Sequence, residues 1–209
     1  MISDQTIADV RKVFWGQALP VSTSPVLFSM AGIPASGKST FVDLQIERGK
    51  FPSNAFIFDP DRVMNALPEY IQDRESNGTE VAFKRWEMDA RELAYDMFET
   101  ALVERKSIIK DMGCARQENV DMLRRAKDQG YKINFFYIYC PSNVAIHRSS
   151  LRDRFTPEVM IYERDDAIRG LLPQLAKISD SFTVIDNSDF RNPFQPMSRA
   201  ALRRAGLAL

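Results

Sequence analysis

The chain has little of several residues on which common chemistries depend. Among its 209 residues are one histidine, two cysteines and two tryptophans. Cys114 and Cys140 lack the close spacing of a metal clip or a redox pair, so free thiols in a reducing compartment are expected. His147, the single histidine, falls on an expected helix, where a lone imidazole is more often a packing or surface residue than a base. No apolar run approaches the ~18 residues of a membrane span, so no membrane association is expected. Met1–Arg11 carries acidic and polar residues where a signal peptide needs an apolar core, which points to a cytoplasmic protein or one delivered into a host cytosol. Charge of one sign is also missing. Lys+Arg and Asp+Glu both number 28, so nothing draws the chain in bulk to long nucleic acid or an acidic membrane. With no repeat, low-complexity tract or linker, residues 1–209 are expected to form one domain. An N-terminal helix at about 3–15 and a basic C-terminal tail at about 192–209 flank it.

What is present is an alternation of strands and helices. Short apolar runs at Val26–Ala31, Ala55–Phe58, Ser107–Ile109, Tyr131–Cys140 and Ser181–Ile185 read as buried parallel strands. Between them lie helical patterns at Ser39–Arg48, Glu80 to about Lys106, Gln117–Gln129, Asn143–Arg154 and Ile161–Ile178. A first helix, Ser3–Trp15, would place Ile7, Val10, Val13 and Phe14 on one face, and Gly16–Pro25 reads as a loop. The order predicts an α/β fold of three layers, a mostly parallel central sheet flanked by helices. The tail from Asn192 either covers the nucleotide site or is loosely held.

The stretch Met30–Thr40, MAGIPASGKST, contains G-x-x-x-x-G-K-[ST] between an expected strand and an expected helix. Chance would produce the four fixed positions in roughly one chain of this length in a hundred, before that context is applied. Gly32, Ile33, Pro34, Ala35, Ser36, Gly37, Lys38, Ser39 and Thr40 would cradle the phosphates of ATP. Glycines let backbone N–H groups turn inward, and the helix N-terminus adds partial positive charge. Lys38 would reach the β and γ phosphates, and Ser39 would hold Mg²⁺.

Acidic turns follow the second and third strands, at the sheet edge where α/β proteins gather function. Asp61 is the candidate carboxylate that aligns an attacking hydroxyl and takes its proton. Asp59 either holds Mg²⁺ through water or caps a short helix over 60–67, which Pro60 would begin. Asp111 ends the third strand, and with Asp59, Arg62, Arg116 and Glu87 is a candidate acceptor contact. Glu87 and Arg91 lie off the apolar stripe Trp86, Ala90, Leu93, Met97 and Ala101, and would edge a cleft. Arg148, Arg152 and Arg154 form a basic segment suited to closing over a transferring phosphate. Arg148 and Arg152, four apart, would share a helix face.

Taken in order, AGIPASGKST, FIFDPDRVMNALPEY, ETALVERKSIIKDMG and LRRAKDQGYKINFFYIYCPSNVAIHRSSLRDR resemble the zeta-toxin family of P-loop kinases, over roughly residues 25 to 187. The resemblance implies an ATP- and Mg²⁺-dependent kinase acting on a hydroxyl of a nucleotide-linked small molecule of the UDP-N-acetylglucosamine type. Relatives in the wider superfamily act on NAD or polynucleotide 5′ ends. A helical antitoxin-like protein is the implied partner. By position, Asp61 matches the catalytic aspartate, and Arg148 and Arg154 match two lid arginines, with Arg152 a close competitor. UDP-sugar-binding members typically carry Glu-Gly-Thr-Gly-Arg after the third strand. Here Asp111-Met112-Gly113-Cys114-Ala115-Arg116 stands there: the acid is matched, the threonine absent and the arginine displaced by a residue. An ATP-binding module without transfer is the alternative of a different class. Asp61 discriminates the two, since a binder has little need of a carboxylate there.

Overall fold

A computed structural model describes residues 2–15, 23–152 and 156–207. Arg154 and the first part of the loop expected at 16–25 lie outside the described residues. Five strands, β1 (Val26–Ala31), β2 (Phe56–Phe58), β3 (Ile108–Asp111), β4 (Lys132–Tyr139) and β5 (Ser181–Asp186), pair in parallel in the order β2-β3-β1-β4-β5. A two-residue strand, β6 (Gln195–Pro196), adds antiparallel to β5 at the edge. It is too short to leave a sequence signal.

Helices cover both faces, which is why the strands read as continuous apolar runs. Side chains alternate across the sheet with the period of two. Phe28, Met30, Ile109, Phe136 and Ile138 meet Phe41 and Val42 of α2 (Lys38–Glu47) on one face. On the other, Leu27, Ile108, Phe135 and Tyr137 join the core built from α5 (Thr79–Val103), α6 (Gln117–Asp128) and α8 (Glu158–Ile178). Trp15, at the end of α1 (Asp4–Trp15), packs on Phe56 with ring centroids 5.2 Å apart.

Three local expectations are corrected. Val13 is 65% exposed, whereas Val10 is buried. At about 100° per residue, Val13 falls roughly 60° beyond Val10, at the margin of the apolar face. The short helix after β2 stops early, α3 being Pro60–Asn65. A separate helix, α4 (Pro68–Asn77), follows with Pro68 in its first turn. The basic helix α7 spans Ser142–Ser150, so Arg152 lies past its end and does not share a face with Arg148. The Ser149 hydroxyl, in the last turn of α7, accepts from the Thr156 amide at 3.0 Å. The basic tail forms α9 (Arg199–Arg204), held through Arg169 to the Ala205 carbonyl at 2.9 Å and by the buried Leu207. Among the described residues, no helix is long and apolar enough to cross a membrane.

Candidate functional site

The loop from Gly32 to Gly37 leaves β1 in the middle of the sheet and returns as α2, so its amides collect at the carboxyl end of the strands. Two glycines are required sterically. Gly37 has φ +92°, and a Cβ there would stand 2.4 Å from Nδ2 of Asn187. A Cβ at Gly32, φ +152°, would meet Ser36 Oγ at 2.6 Å and the Ile138 carbonyl at 2.7 Å. Ala35 adds a further left-handed residue at φ 61°. Within the loop, the Lys38 ammonium donates to the Gly32 and Ile33 carbonyls, both at 3.0 Å. Ser39 and Thr40 expose their side chains on the first turn of α2. Ser36 Oγ is buried without a hydrogen-bond partner among the described residues.

Asn187 was not singled out from sequence. It is buried after β5, its backbone N–H donating to Tyr139 O at 2.9 Å and its side-chain amide to Ser36 O at 2.7 Å. The P-loop is thus clamped by a residue 151 positions away. No local pattern announces such a residue; only its place just past the last parallel strand could have drawn attention.

The turn after β3 leans on the same loop. Gly113 O accepts from the Gly32 amide at 3.2 Å, and Cys114, at φ 57°, donates its buried thiol to Met30 O at 3.1 Å. Beneath it the fully buried Lys110 donates to Cys114 Sγ at 3.2 Å and Asn119 Oδ1 at 2.8 Å. The DMGCAR segment therefore ties β3 to β1 through a sulfur at the position where a glycine was the family expectation.

The sheet order places β3 and then β2 on one side of β1, which brings three aspartates to this edge. Asp111 is buried, and neither carboxylate oxygen has a hydrogen-bond partner among the described residues. Asp59 is buried too. It caps α3 by accepting from the Asp61 amide at 2.9 Å and receives Arg62 Nε at 3.4 Å. Burial first, then the neighbouring Asp111 and Asp61 charges, push the Asp59 carboxyl up to about 7. Lys38 is pulled below the ordinary lysine value, chiefly by burial and further by the positive Arg152. Asp111, Cys114 and Asp59 oppose that shift. Lys38, Asp59, Asp111 and Arg152 therefore sit within one another's fields. Asp61 is exposed on the first turn of α3, whereas Asp59 is buried.

Other expected site residues are placed differently. Arg62 is engaged by Asp43 of α2 at 2.6 Å as well as by Asp59, so it joins α3 to α2. Glu87 holds Arg91 at 2.8 Å on α5. Arg91 and Arg116 both act on Tyr95, whose ring stacks edge-on against Phe58 at 5.2 Å, just before Asp59. Arg116 is exposed at the start of α6. On the opposite flank, the Arg148 guanidinium lies 4.3 Å from the centre of the Phe190 ring and donates to Cys140 Sγ at 3.5 Å. Of the described arginines it is thus Arg152 that acts on Lys38, and Arg148 that faces the loop after β5.

A parallel sheet ordered 2-3-1-4-5, with a glycine loop between its central strand and the next helix, is the P-loop kinase fold. Within that class, the zeta toxin family profile matches residues 13–192, and the chain belongs to that family. One similar solved structure comes from the PezAT chromosomal toxin–antitoxin system of the human pathogen Streptococcus pneumoniae. It has 12% identity and a TM-score of 0.69, over 99% of this chain and 88% of that one. The native AvrRxo1-ORF1:-ORF2 complex gives 14% identity and 0.70, over 98% and 70%. The AvrRxo1-ORF1:-ORF2 structure with ATP gives 15% and 0.67, over 93% and 64%. These likenesses carry the fold. No curated protein is recognisably similar in sequence.

Proposed function

We propose that this chain is an ATP-dependent kinase that transfers the γ-phosphate to a hydroxyl of a nucleotide-linked small molecule of the UDP-N-acetylglucosamine type. The observation that carries the reading is the buried carboxylate pair Asp59 and Asp111, set in the field of the P-loop lysine. Two like charges buried together are costly unless something cationic joins them. A structural aspartate would be hydrogen-bonded, whereas both Asp111 oxygens are without a hydrogen-bond partner among the described residues.

These residues fit Mg²⁺, which takes one or two carboxylates, waters and substrate phosphates. Ser39 and Asp59 would hold the ion, with Asp111 beside them, and when bound it would neutralise charge on the phosphates. The P-loop amides and Lys38 would bind and orient the triphosphate. Asp61, exposed beside the pair, would align the acceptor hydroxyl and take its proton. Arg152, with Arg148 and Arg154 on the same segment, would draw over the transferring phosphate and exclude water. Arg116, Arg62 and Glu87 would border the acceptor. Nothing in this arrangement calls for a covalent intermediate; it supplies position and charge. A helical antitoxin-like partner and a cytosolic site of action belong to the same reading. The toxin–antitoxin system and the ORF1:ORF2 complexes among the similar structures support the partner.

The test is γ-phosphate transfer with Mg²⁺ to UDP-N-acetylglucosamine, NAD and a 5′-hydroxyl oligonucleotide, read by mass shift. Asp61→Asn should cut transfer by roughly 10²- to 10⁴-fold while ATP binding is kept. Transfer at the wild-type rate by that variant would remove Asp61 from the chemistry. A product on NAD or the oligonucleotide alone would replace the acceptor.

A further inference from the structure

Two buried side chains at the edge of the site, Lys110 and Cys114, have no part in the chemistry proposed above. Successive residues of β3 face opposite sides of the sheet. Asp111 acts on Lys38, whereas Lys110 turns toward α6. The Lys110 side chain is fully buried, and its ammonium donates to Cys114 Sγ at 3.2 Å and to Asn119 Oδ1 at 2.8 Å. Among the described residues, no carboxylate is ion-paired with it. A cation buried without a counter-charge is costly, so a position that needed only filling would suit an apolar side chain better.

The two acceptors stand at opposite ends of one turn. Cys114, at φ 57°, carries the connection on to Met30 O at 3.1 Å, on the strand that enters the phosphate loop. Asn119 carries it to Arg116, whose carbonyl accepts from the Asn119 backbone amide at 3.1 Å and from Nδ2 at 3.3 Å. The ammonium thus holds the turn 112–116 from inside. One arm draws it against β1 and the other against the start of α6. Asp111 leads into this turn and Arg116 ends it.

We propose that Lys110 is a positioning residue for phosphoryl transfer. It touches neither substrate, but its two hydrogen bonds set the distance between the P-loop and Arg116, and so the register of the acceptor against the γ-phosphate. The proposal rests on the reading of the chain as a kinase whose acceptor lies at the β3–β2 edge. Lys110 and Cys114 form one device in it, because the sulfur is what joins the ammonium to β1.

Transfer kinetics, calorimetric ATP binding and thermal unfolding test it on wild type, Lys110→Met, Cys114→Ala, the double variant and Cys114→Ser. The acceptor is UDP-N-acetylglucosamine, or NAD if that is the molecule phosphorylated. Lys110→Met should lower kcat/KM for the acceptor about ten- to a hundredfold, with a raised KM, since a displacement near 1 Å is enough for that. ATP affinity should stay within about threefold, because Asn187 holds the cradle from the other side. The melting temperature should stay within about 4 °C, the removed buried charge offsetting the lost hydrogen bonds. Cys114→Ala should lose about as much activity, and the double variant no more than either alone. Cys114→Ser keeps a donor for Met30 O and an acceptor for Lys110, and should restore activity to within about threefold of wild type. Wild-type kinetics in Lys110→Met would overturn the proposal. So would a loss that follows a fall in melting temperature with KM unchanged, which is the mark of a merely structural residue. Additive losses in the double variant would separate Cys114 from Lys110 and overturn the shared device. Wild-type protein that phosphorylates no acceptor would remove the kinase reading itself, and this role with it.

Discussion

The two flanks of the P-loop are built by different means. Toward β4 and β5 the constraints are on backbone and its close approaches. Gly37 faces Asn187, Gly32 faces the Ile138 carbonyl, and Asn187 grips the Ser36 carbonyl. Toward β3 and β2 the site consists of charged side chains at strand ends and helix starts: Asp59, Asp61, Asp111, Arg62 and Arg116. A backbone cradle must be held to within tenths of an ångström, and few substitutions are tolerated. A charged rim can change partners without disturbing the fold. The cradle therefore suits a ligand part common to many proteins, and the rim a part that distinguishes one acceptor from another.

The contrast is broken most severely at Gly37. Gly37→Ala puts a methyl at a positive φ and into the Asn187 amide, a strain of at least 2–3 kcal/mol or roughly a hundredfold in ATP affinity. Gly49→Ala is the control, since φ there is +66° but no atom lies within 4 Å. It should cost only backbone strain, about 1–2 kcal/mol of stability, and spare ATP binding. Equal loss in the two variants would mean that strain alone, and not the Asn187 contact, sets the effect.

A second effect is expected at Asp59, in stability rather than in binding. Its carboxyl is held at about 7 in the folded chain and ionises near 3.8 when unfolded. Between these values the folded state carries the extra proton. The contribution is therefore complete below about pH 4 and is lost as pH rises through 7, by a few kcal/mol. Asp59→Asn keeps an acceptor for the α3 cap and removes the titration. Urea unfolding of both proteins in chelator from pH 4 to 8 should show the variant gaining on wild type as pH rises. Parallel curves would contradict the burial of that charge.

The least disruptive change is Arg116→Gln. The side chain is exposed, so stability and ATP affinity should stay as they are. The KM for an anionic acceptor should rise about three- to tenfold, as fits loss of one solvent-exposed hydrogen bond. An unchanged KM would place the acceptor away from the start of α6, and the rim would need redrawing around Asp61 and Arg62.

Most of the fold was legible because parallel strands buried on both faces announce themselves as apolar runs. β1 is found at Val26–Ala31 as expected, and β4 within a residue at either end. What escaped had weak local signals. The α4 segment Pro68–Asn77 is polar over most of its length, and β6 has two residues. Val13 and the truncated α7 were misplaced because a periodic pattern does not show where tertiary contacts end it. In the site, Lys38 and Asp59 could be chosen from spacing. Asp111 could be found as a strand-end acid, but its lack of hydrogen-bond partners among the described residues and its nearness to Lys38 could not.

By itself, the sequence determined the alternation of strands and helices, the P-loop and the acidic turn that follows β2. These depend on residues adjacent in the chain: a phosphate cradle is one run of consecutive backbone units, and a helix cap is local to a few residues. Only the tertiary structure decided that β3 lies between β1 and β2, so that Asp111 shares a site with Asp59. It alone set Asn187 on the P-loop, and Phe190 beneath the guanidinium of Arg148. Strand order and side-chain meetings between residues far apart in the chain follow from how the sheet buries both faces at once, and no short stretch of sequence contains that information.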